Sequence, residues 1–271
     1  MKLGRRTLWS LALNGAATGV FAFMLLPLPL VAWLAFFQDE IIVFPPQGYS
    51  LRWFAAIWEK RQFVDGFQTS LQVGVLATLG GLAVGIPASF ALARHVFRGR
   101  ETLNTLMLLP LVVPGIVIGT SLYIYFVEIE IASEVQLNAS LLGLVLAHIM
   151  ITIPWTVKLI VANLIGVKRE IEEAALSLGA NRWQTLTKVT LPLIRPGVVA
   201  AALFSFVVSF GNLEISLFLV GPGRQTLPIA ILQYLEWKLD PTIAAVSVLQ
   251  ILIVAAGMLI TDRFVRLSQV I

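Results

Sequence analysis

Catalysis and metal binding draw on cysteine, histidine and clustered acids, and this chain is poor in all three. Its 271 residues include no cysteine and two histidines, His95 and His148. That composition excludes disulfide scaffolds, thiol catalysis, iron–sulfur sites and a histidine-rich metal centre. No G-x-x-x-x-G-K-[ST] loop is present to cradle nucleotide phosphates. Glu214 is the residue whose chemistry stands out, set in Phe210-Gly-Asn-Leu-Glu-Ile-Ser-Leu-Phe218. A carboxylate at bilayer depth costs about 2.5–3.5 kcal/mol and usually faces a cavity or a partner. If this stretch is helical, Phe210, Glu214, Leu217 and Gly221 share a face and Asn212 lies on another. Glu214 then either lines a path for a cationic solute, or is paired with a buried donor or set near the outer interface. His148, six residues before Pro154, reads as a hydrogen-bonded helix contact rather than a ligand.

The elements that must hold these residues follow from composition. The chain is 58% hydrophobic and 13% charged, with mean hydropathy +0.88, against about 45–50% and about 25% in soluble domains. It therefore has lipid as its solvent, and six spans of about 20 residues fit the length. They are expected near 11–37, 67–93, 103–127, 139–165, 197–220 and 241–262. The first is too long for a signal-peptide core and has no Ala-x-Ala site before Gln38, so it reads as an uncleaved span. Placing the N-terminus inside puts fourteen of the 19 basic residues on the cytoplasmic side. Both termini are then cytoplasmic. The net charge of +4 is this orientation bias, not a nucleic-acid surface. Lys158 snorkels from the inner end of the fourth span, and Pro87, Pro110, Pro114 and Pro154 interrupt helices in or near the membrane.

Two connecting segments exceed simple turns. In the outer loop, Leu51, Phe54, Ala55 and Trp58 are spaced as one helical stripe beside Trp53, which predicts a short helix on the membrane surface. In the inner segment 166–196, Ile171, Ala174, Ala175 and Leu178 keep helical spacing among charges. Gly179 falls where a helix C-cap belongs. Asn181 suits the N-cap of a second short helix presenting Trp183, Leu186 and Val189, closed by Pro192 and Pro196. The expected division is an N-terminal span with its outer loop (1–66), a five-helix core (67–265) containing the inner segment, and a short tail (266–271). Small-xxx-small pairs at Gly15/Gly19, Gly81/Gly85 and Gly115/Gly119 permit close helix packing without naming a partner.

The inner segment reads Glu173-Ala174-Ala175, then Gly179 after three residues, then Val189-Thr190-Leu191-Pro192 after nine more. It resembles the EAA loop of bacterial ATP-binding-cassette (ABC) importer permeases, E-A-A-x3-G-x9-I-x-L-P, departing only at Val189. Phe44–Phe54, Ala91–Arg100, Leu109–Gly115, His148 with Pro154, and Gly221-Pro222 are similar to the polyamine/opine/phosphonate branch of type I importers. The resemblance implies an all-α type I permease fold in the bacterial inner membrane, with EAA coupling helices in the cytoplasm. It implies that Glu173, Ala174, Ala175, Leu178, Gly179, Ala180, Trp183, Leu191 and Pro192 engage an ATPase; Phe210, Glu214 and Leu217 are placed on the translocation path by the membrane acid and its helical face, not by the resemblance. The partners it implies are a cytoplasmic ABC ATPase dimer, a second permease or second copy, and a periplasmic solute-binding protein. The chain itself would be non-catalytic and need no cofactor. Polyamine-type members carry adjacent acids near 211–212, where this chain has Gly211 and Asn212. That difference weakens spermidine and putrescine as solutes and leaves opines, aminophosphonates and other small charged molecules. The competing reading is a self-sufficient secondary transporter built on Glu214, which calls for inverted repeats and paired membrane acids. A membrane enzyme would need a catalytic cluster that the sequence does not supply.

Overall fold

How closely helices approach in lipid depends on small residues and hydroxyls at their contacts, and this chain places both at regular intervals. A computed structural model describes residues 2–265. The tail at 266–271 lies outside the described residues, as do the side chains of Lys2, Arg5, Arg6 and Arg263. The helices are α1 (Lys2–Leu25), α2 (Pro27–Leu34), α3 (Arg52–Glu59), α4 (Arg61–Arg94), α5 (Arg100–Leu108), α6 (Gly115–Ser133) and α7 (Leu141–Gly166). They continue as α8 (Arg169–Ser177), α9 (Arg182–Thr185), α10 (Leu191–Phe210), α11 (Ser216–Leu219), α12 (Leu227–Trp237) and α13 (Thr242–Val265). Six apolar segments of spanning length result: Leu13–Leu34, Arg61–Arg94, Gly115–Ser133, Leu141–Gly166, Arg182–Phe210 and Thr242–Leu259.

Two of the expected spans are displaced. The third does not run through 103–127: α5 ends at Leu108, a single 3₁₀ turn covers Leu109–Leu111, and the span begins at Gly115. Pro110 and Pro114 each remove a donor, and Val113 is pushed out of the helical region by the proline after it. The fifth starts earlier and stops at Phe210 rather than near 220. By contrast α4 and α7 run unbroken through Pro87 and Pro154, so those prolines do not interrupt helices as expected. Proline is tolerated within membrane helices that pack against others.

Packing groups the described residues into two units, one reaching to Lys60 and including Tyr234–Leu252, the other comprising Arg61–Gln233 and the chain from Ile253. In the second unit α4, α7 and α10 form the centre. A methyl group added to Gly81 or Gly85 would collide with Thr152 or Thr156 of α7, which explains why this small-xxx-small pair is needed. Thr152 Oγ1 donates to the Ala77 carbonyl of α4 at 3.2 Å, and Thr156 Oγ1 shares a 3.2 Å bond with Ser205 Oγ of α10. Such bonds average about 0.6 kcal/mol each in lipid, so they orient the helices more than they hold them. One apolar cluster (Ile160, Leu164, Ile194, Ala201) joins α7 to α10, and a second (Phe126, Leu137, Leu144, Ile215, Leu219 and neighbours) joins α6, α7 and α11.

The first unit is tied by aromatic and polar contacts. Trp53 Nε1 donates to the Phe37 carbonyl at 2.6 Å, and Trp33 Nε1 to Tyr49 Oη at 3.1 Å. Helix α3 forms where the spacing predicts it, but it buries Trp53 and Ile57, while Leu51 and Trp58 of the expected stripe remain exposed. Between α12 and α13, Asp240 is 2% exposed and accepts from Tyr234 Oη at 2.7 Å and Thr242 N at 2.9 Å. Lys238 Nζ lies 3.4 Å from Asp240 and 3.5 Å from Glu40. Burial opposes ionisation of Asp240, but bonds from Thr242, Tyr234 and Lys238 outweigh it and hold the carboxyl below its ordinary value. Burial, with the Asp240 carboxylate, pushes the Tyr234 phenol up to about 12. A depressed carboxyl pKa means that the unfolded chain binds the proton more tightly. The clasp therefore contributes stability at neutral pH and loses it as the pH falls below about 4, the ordinary carboxylate range. Asp240→Asn is expected to lower the melting midpoint at pH 7 and to flatten its decline between about pH 5 and 3. Thermal melts in detergent check this; parallel acid profiles for the two proteins would rule it out.

Candidate functional site

The inner segment is built by local rules. Helix α8 ends at Ser177, and the chain reverses through Gly179 at φ +91°, a conformation that costs a residue with Cβ about 1–2 kcal/mol. The Gly179 and Ala180 N–H groups return to the Leu176 and Ala175 carbonyls at 3.0 and 3.1 Å, closing the α8 terminus. Asn181 then caps α9: its Oδ1 accepts from Gln184 N at 2.8 Å and Gln184 Oε1 accepts from Asn181 N at 2.9 Å. This reciprocal box satisfies two donors that would otherwise lack partners. Pro192 and Pro196 do not close the segment as expected. A π-helical turn at Leu186–Thr190, with Leu191 N reaching back to Leu186 O, carries α9 directly into α10. Pro192 sits in the first turn of α10, where a missing N–H costs little, and Pro196 lies inside that helix.

Among its charged residues this hairpin shows large apolar side chains to water. Leu178 is 90% exposed and Trp183 71%, while Ile171 and Leu176 are each 44% exposed. Glu173, Ala174 and Gly179 are also exposed, Ala175, Ala180 and Leu191 are half-buried, and Pro192 is exposed. The base is fastened. Arg94, the last residue of α4, donates through Nη2 to the Val167 carbonyl at 3.0 Å and to Glu172 Oε1 at 3.2 Å. Arg169 Nη2 donates back to the Arg94 carbonyl at 3.0 Å, and Thr190 Oγ1 donates to the same Glu172 oxygen at 3.0 Å. A bare apolar tip on an anchored base can dock into a groove and push or be pushed.

Glu214 does not sit on a helix. Helix α10 ends at Phe210, residues 211–215 are irregular, and α11 begins at Ser216. The helical face expected to join Phe210, Glu214, Leu217 and Gly221 is therefore absent, because Gly211 and Asn212 redirect the backbone. Asn212 Oδ1 accepts from Ile215 N at 3.0 Å, the kind of local bond that replaces a helical one. Phe210 is 1% exposed and stacks on Phe206 with centroids 5.3 Å apart. Glu214 and Leu217 are exposed. The Glu214 side chain lies across Gly115 at the start of α6, where any Cβ would strike its carboxylate, and Gly119 lies against the Glu214 carbonyl and the Ile215 Cα. The third small-xxx-small pair thus brings the two interrupted segments together.

His148 is a hydrogen-bonded helix contact, as the sequence reading held, and it does more. It is fully buried, with Nδ1 2.8 Å from Ser209 Oγ and Nε2 3.2 Å from Ser216 Oγ. One imidazole thus bridges the break from the last turn of α10 to the first residue of α11. Lys158 is exposed near the end of α7. Among the described residues no group of three or more histidines and acids could hold a metal ion.

Residues 81–269 match the family model of the binding-protein-dependent transport system inner membrane component. The chain belongs to that family. Among its relatives is the putrescine transport system permease protein PotI of Escherichia coli K12, 28% identical over 230 residues, covering 84% of this chain and 82% of that one. The putative 2-aminoethylphosphonate transport system permease protein PhnV of Salmonella paratyphi A is 29% identical over 265 residues, covering 94% and 95%. The fold is that of a bacterial alginate ABC transporter crystallised with its alginate-bound periplasmic protein: TM-score 0.72 at 17% identity, covering 94% of this chain and 93% of that one. The MetNI methionine ABC transporter, solved in inward-facing conformations, gives TM-score 0.63 at 19% identity over 78% and 97%. As an inner membrane component of this family, the chain is a multi-pass protein of the bacterial inner membrane. The residues that sequence reasoning missed are Arg94, Glu172 and Thr190. Thr190 fills an unspecified place in the EAA pattern, Arg94 lies within the Ala91–Arg100 stretch and Glu172 just precedes Glu173, but no spacing rule pairs residues 94 and 172.

Proposed function

We propose that the chain is the transmembrane permease subunit of an ABC importer. The observation that carries the proposal is the exposed apolar tip of the α8–α9 hairpin, Leu178 and Trp183, within a chain of this family. Docking into a cytoplasmic ATPase would cover that tip. Glu173, Ala174, Ala175, Leu178, Gly179, Ala180 and Trp183 would form the contact, and Leu191 and Pro192 would continue it into α10. Hydrolysis of ATP belongs to that separate subunit. A periplasmic binding protein would deliver the solute, and a second permease or a second copy would complete the pore. Both termini would be cytoplasmic, which places α8 and its basic neighbours inside. Relatives named for putrescine and 2-aminoethylphosphonate support a small charged solute carrying an amine.

Glu214 and Leu217 would line the path, with Phe210 supporting them from behind. An exposed carboxylate beside a helix break can meet a cationic group without first losing a protein partner.

Four measurements test these assignments. Purified in mild detergent from its native membrane, the tagged chain is expected to bring down an ATPase and a second permease. Gly179→Asp is expected to abolish uptake while the chain still inserts. Purification alone, with solute movement that needs no ATP, would instead make it a secondary transporter. Because the sequence has no cysteine, single cysteines report orientation cleanly: one at Ser133 should label from outside, and one at Ser177 only after permeabilisation. The opposite pattern would invert the topology. Glu214→Gln is expected to raise the KM for a cationic solute about tenfold, the loss of one charge-assisted bond, with the amount of assembled complex unchanged. Loss of assembled protein would give Glu214 a structural role.

A further inference from the structure

We propose that Glu172, gripped by Arg94 and Thr190, is the linkage that delivers movement of α8 to two membrane helices at once. The inference rests on the reading that the tip of α8–α9 engages an ATPase, and it assigns positions that the EAA pattern leaves unspecified. A single carboxylate oxygen, Glu172 Oε1, accepts from Arg94 Nη2 at 3.2 Å and from Thr190 Oγ1 at 3.0 Å. Arg94 is the last residue of α4, and Thr190 is the last residue of the π-helical turn that leads into α10. The same Arg94 nitrogen holds the Val167 carbonyl at 3.0 Å, where α7 ends, and the Arg94 carbonyl accepts from Arg169 at 3.0 Å. The first turn of α8 is thereby tied to the ends of α4, α7 and α10.

The pair is shielded. The side chains of Arg94 and Glu172 are 12% and 19% exposed, so salt screens it less than a surface pair, and the planar guanidinium fixes direction as well as distance. Glu173, the next residue, is exposed and belongs to the tip. Adjacent glutamates thus divide the work, one facing the tip's surroundings and one anchoring the base. From Glu172 to the turn at Gly179 is roughly 10 Å of helix at 1.5 Å per residue. A displacement of the tip therefore turns α8 about an anchor near its first turn. Without that anchor, α8 can tilt while α4 and α10 stay still.

The test uses the full complex, with its ATPase, second permease and binding protein, reconstituted in vesicles. ATP hydrolysis and uptake are measured together. If wild type shows no ATP-driven uptake, the importer reading fails and the linkage with it. Given a working wild type, Glu172→Gln is expected to hydrolyse ATP but to lower uptake per ATP about tenfold, the loss of a charge-assisted bond. Thr190→Val, which removes one hydroxyl with little change of shape, is also expected to lower it about tenfold, the loss of a hydroxyl bond to a carboxylate. Uptake per ATP within a factor of two of wild type in Glu172→Gln would overturn the proposal. So would a proportional fall of hydrolysis and uptake in Thr190→Val, which marks a residue needed only for assembly.

Discussion

In the hydrocarbon core of a bilayer lipid cannot satisfy a broken helix, so every interruption must be closed by protein or line a water-filled cavity. That constraint organises the second unit. The chain breaks before α6, where Pro110 and Pro114 remove donors, and again after α10, where Gly211 and Asn212 turn the backbone. The breaks are not independent: Gly115 and Gly119 at the start of α6 lie directly against Glu214 and Ile215. His148 then spans the second break with one hydrogen bond to each side. Asn212 closes the turn from within, accepting from Ile215 through its side chain and from Ser216 through its carbonyl. A carboxylate can stand beside irregular backbone here because the backbone itself has been provided for.

The inner hairpin obeys the opposite economy. It is in contact with water, so its polar groups need no special provision, and local chemistry suffices to shape it. Gly179 supplies the left-handed residue, Asn181 and Gln184 cap each other, and the π-helical turn leads the chain into α10 ahead of Pro192. What local chemistry leaves uncovered is the apolar side, Leu178 and Trp183 above all. Two large apolar side chains left in water on a short, well-capped hairpin are a cost to the isolated chain, and exposed apolar surface of this kind marks interaction sites.

The same contrast explains what could be read from the residues alone. The hairpin was legible because spacing, a glycine and an Asn cap are local signals, and the structure reproduces them at Ser177, Gly179 and Asn181. The spans were legible in number and mostly in place, because length and hydropathy are local too. The third and fifth were displaced where apolar sequence continues through a break: hydropathy is indifferent to whether Leu109 or Leu213 is helical. Glu214 stood out as a buried-looking acid, but its face was misassigned because Gly211-Asn212 ends the helix that the periodicity assumed. Gly81, Gly85, Gly115 and Gly119 were visible as small-residue pairs, whereas their partners Thr152, Thr156, Glu214 and Ile215 depend on which helices meet. Arg94 and Glu172, 78 residues apart, belong to the same class of information. A long-range ion pair leaves no periodic trace.

Rigidity and freedom are therefore distributed by environment. Where lipid surrounds the chain, glycine contacts and hydroxyl bonds fix α4, α7 and α10 against one another at spacings that a single added methyl would disturb. Where water surrounds it, a shielded carboxylate is enough to hold α8 at its base and leave its tip uncovered. A lever needs both properties, since a tip that moved against a loose base would do no work on the membrane helices. The break at 211–215 supplies the complementary feature. It is a short irregular stretch, braced at both ends by His148, in which a change imposed on α10 is met by five residues of non-helical backbone rather than by a continuous rod. Glu214 lies in that stretch, so its carboxylate is carried by irregular backbone between two helices rather than by a helix face.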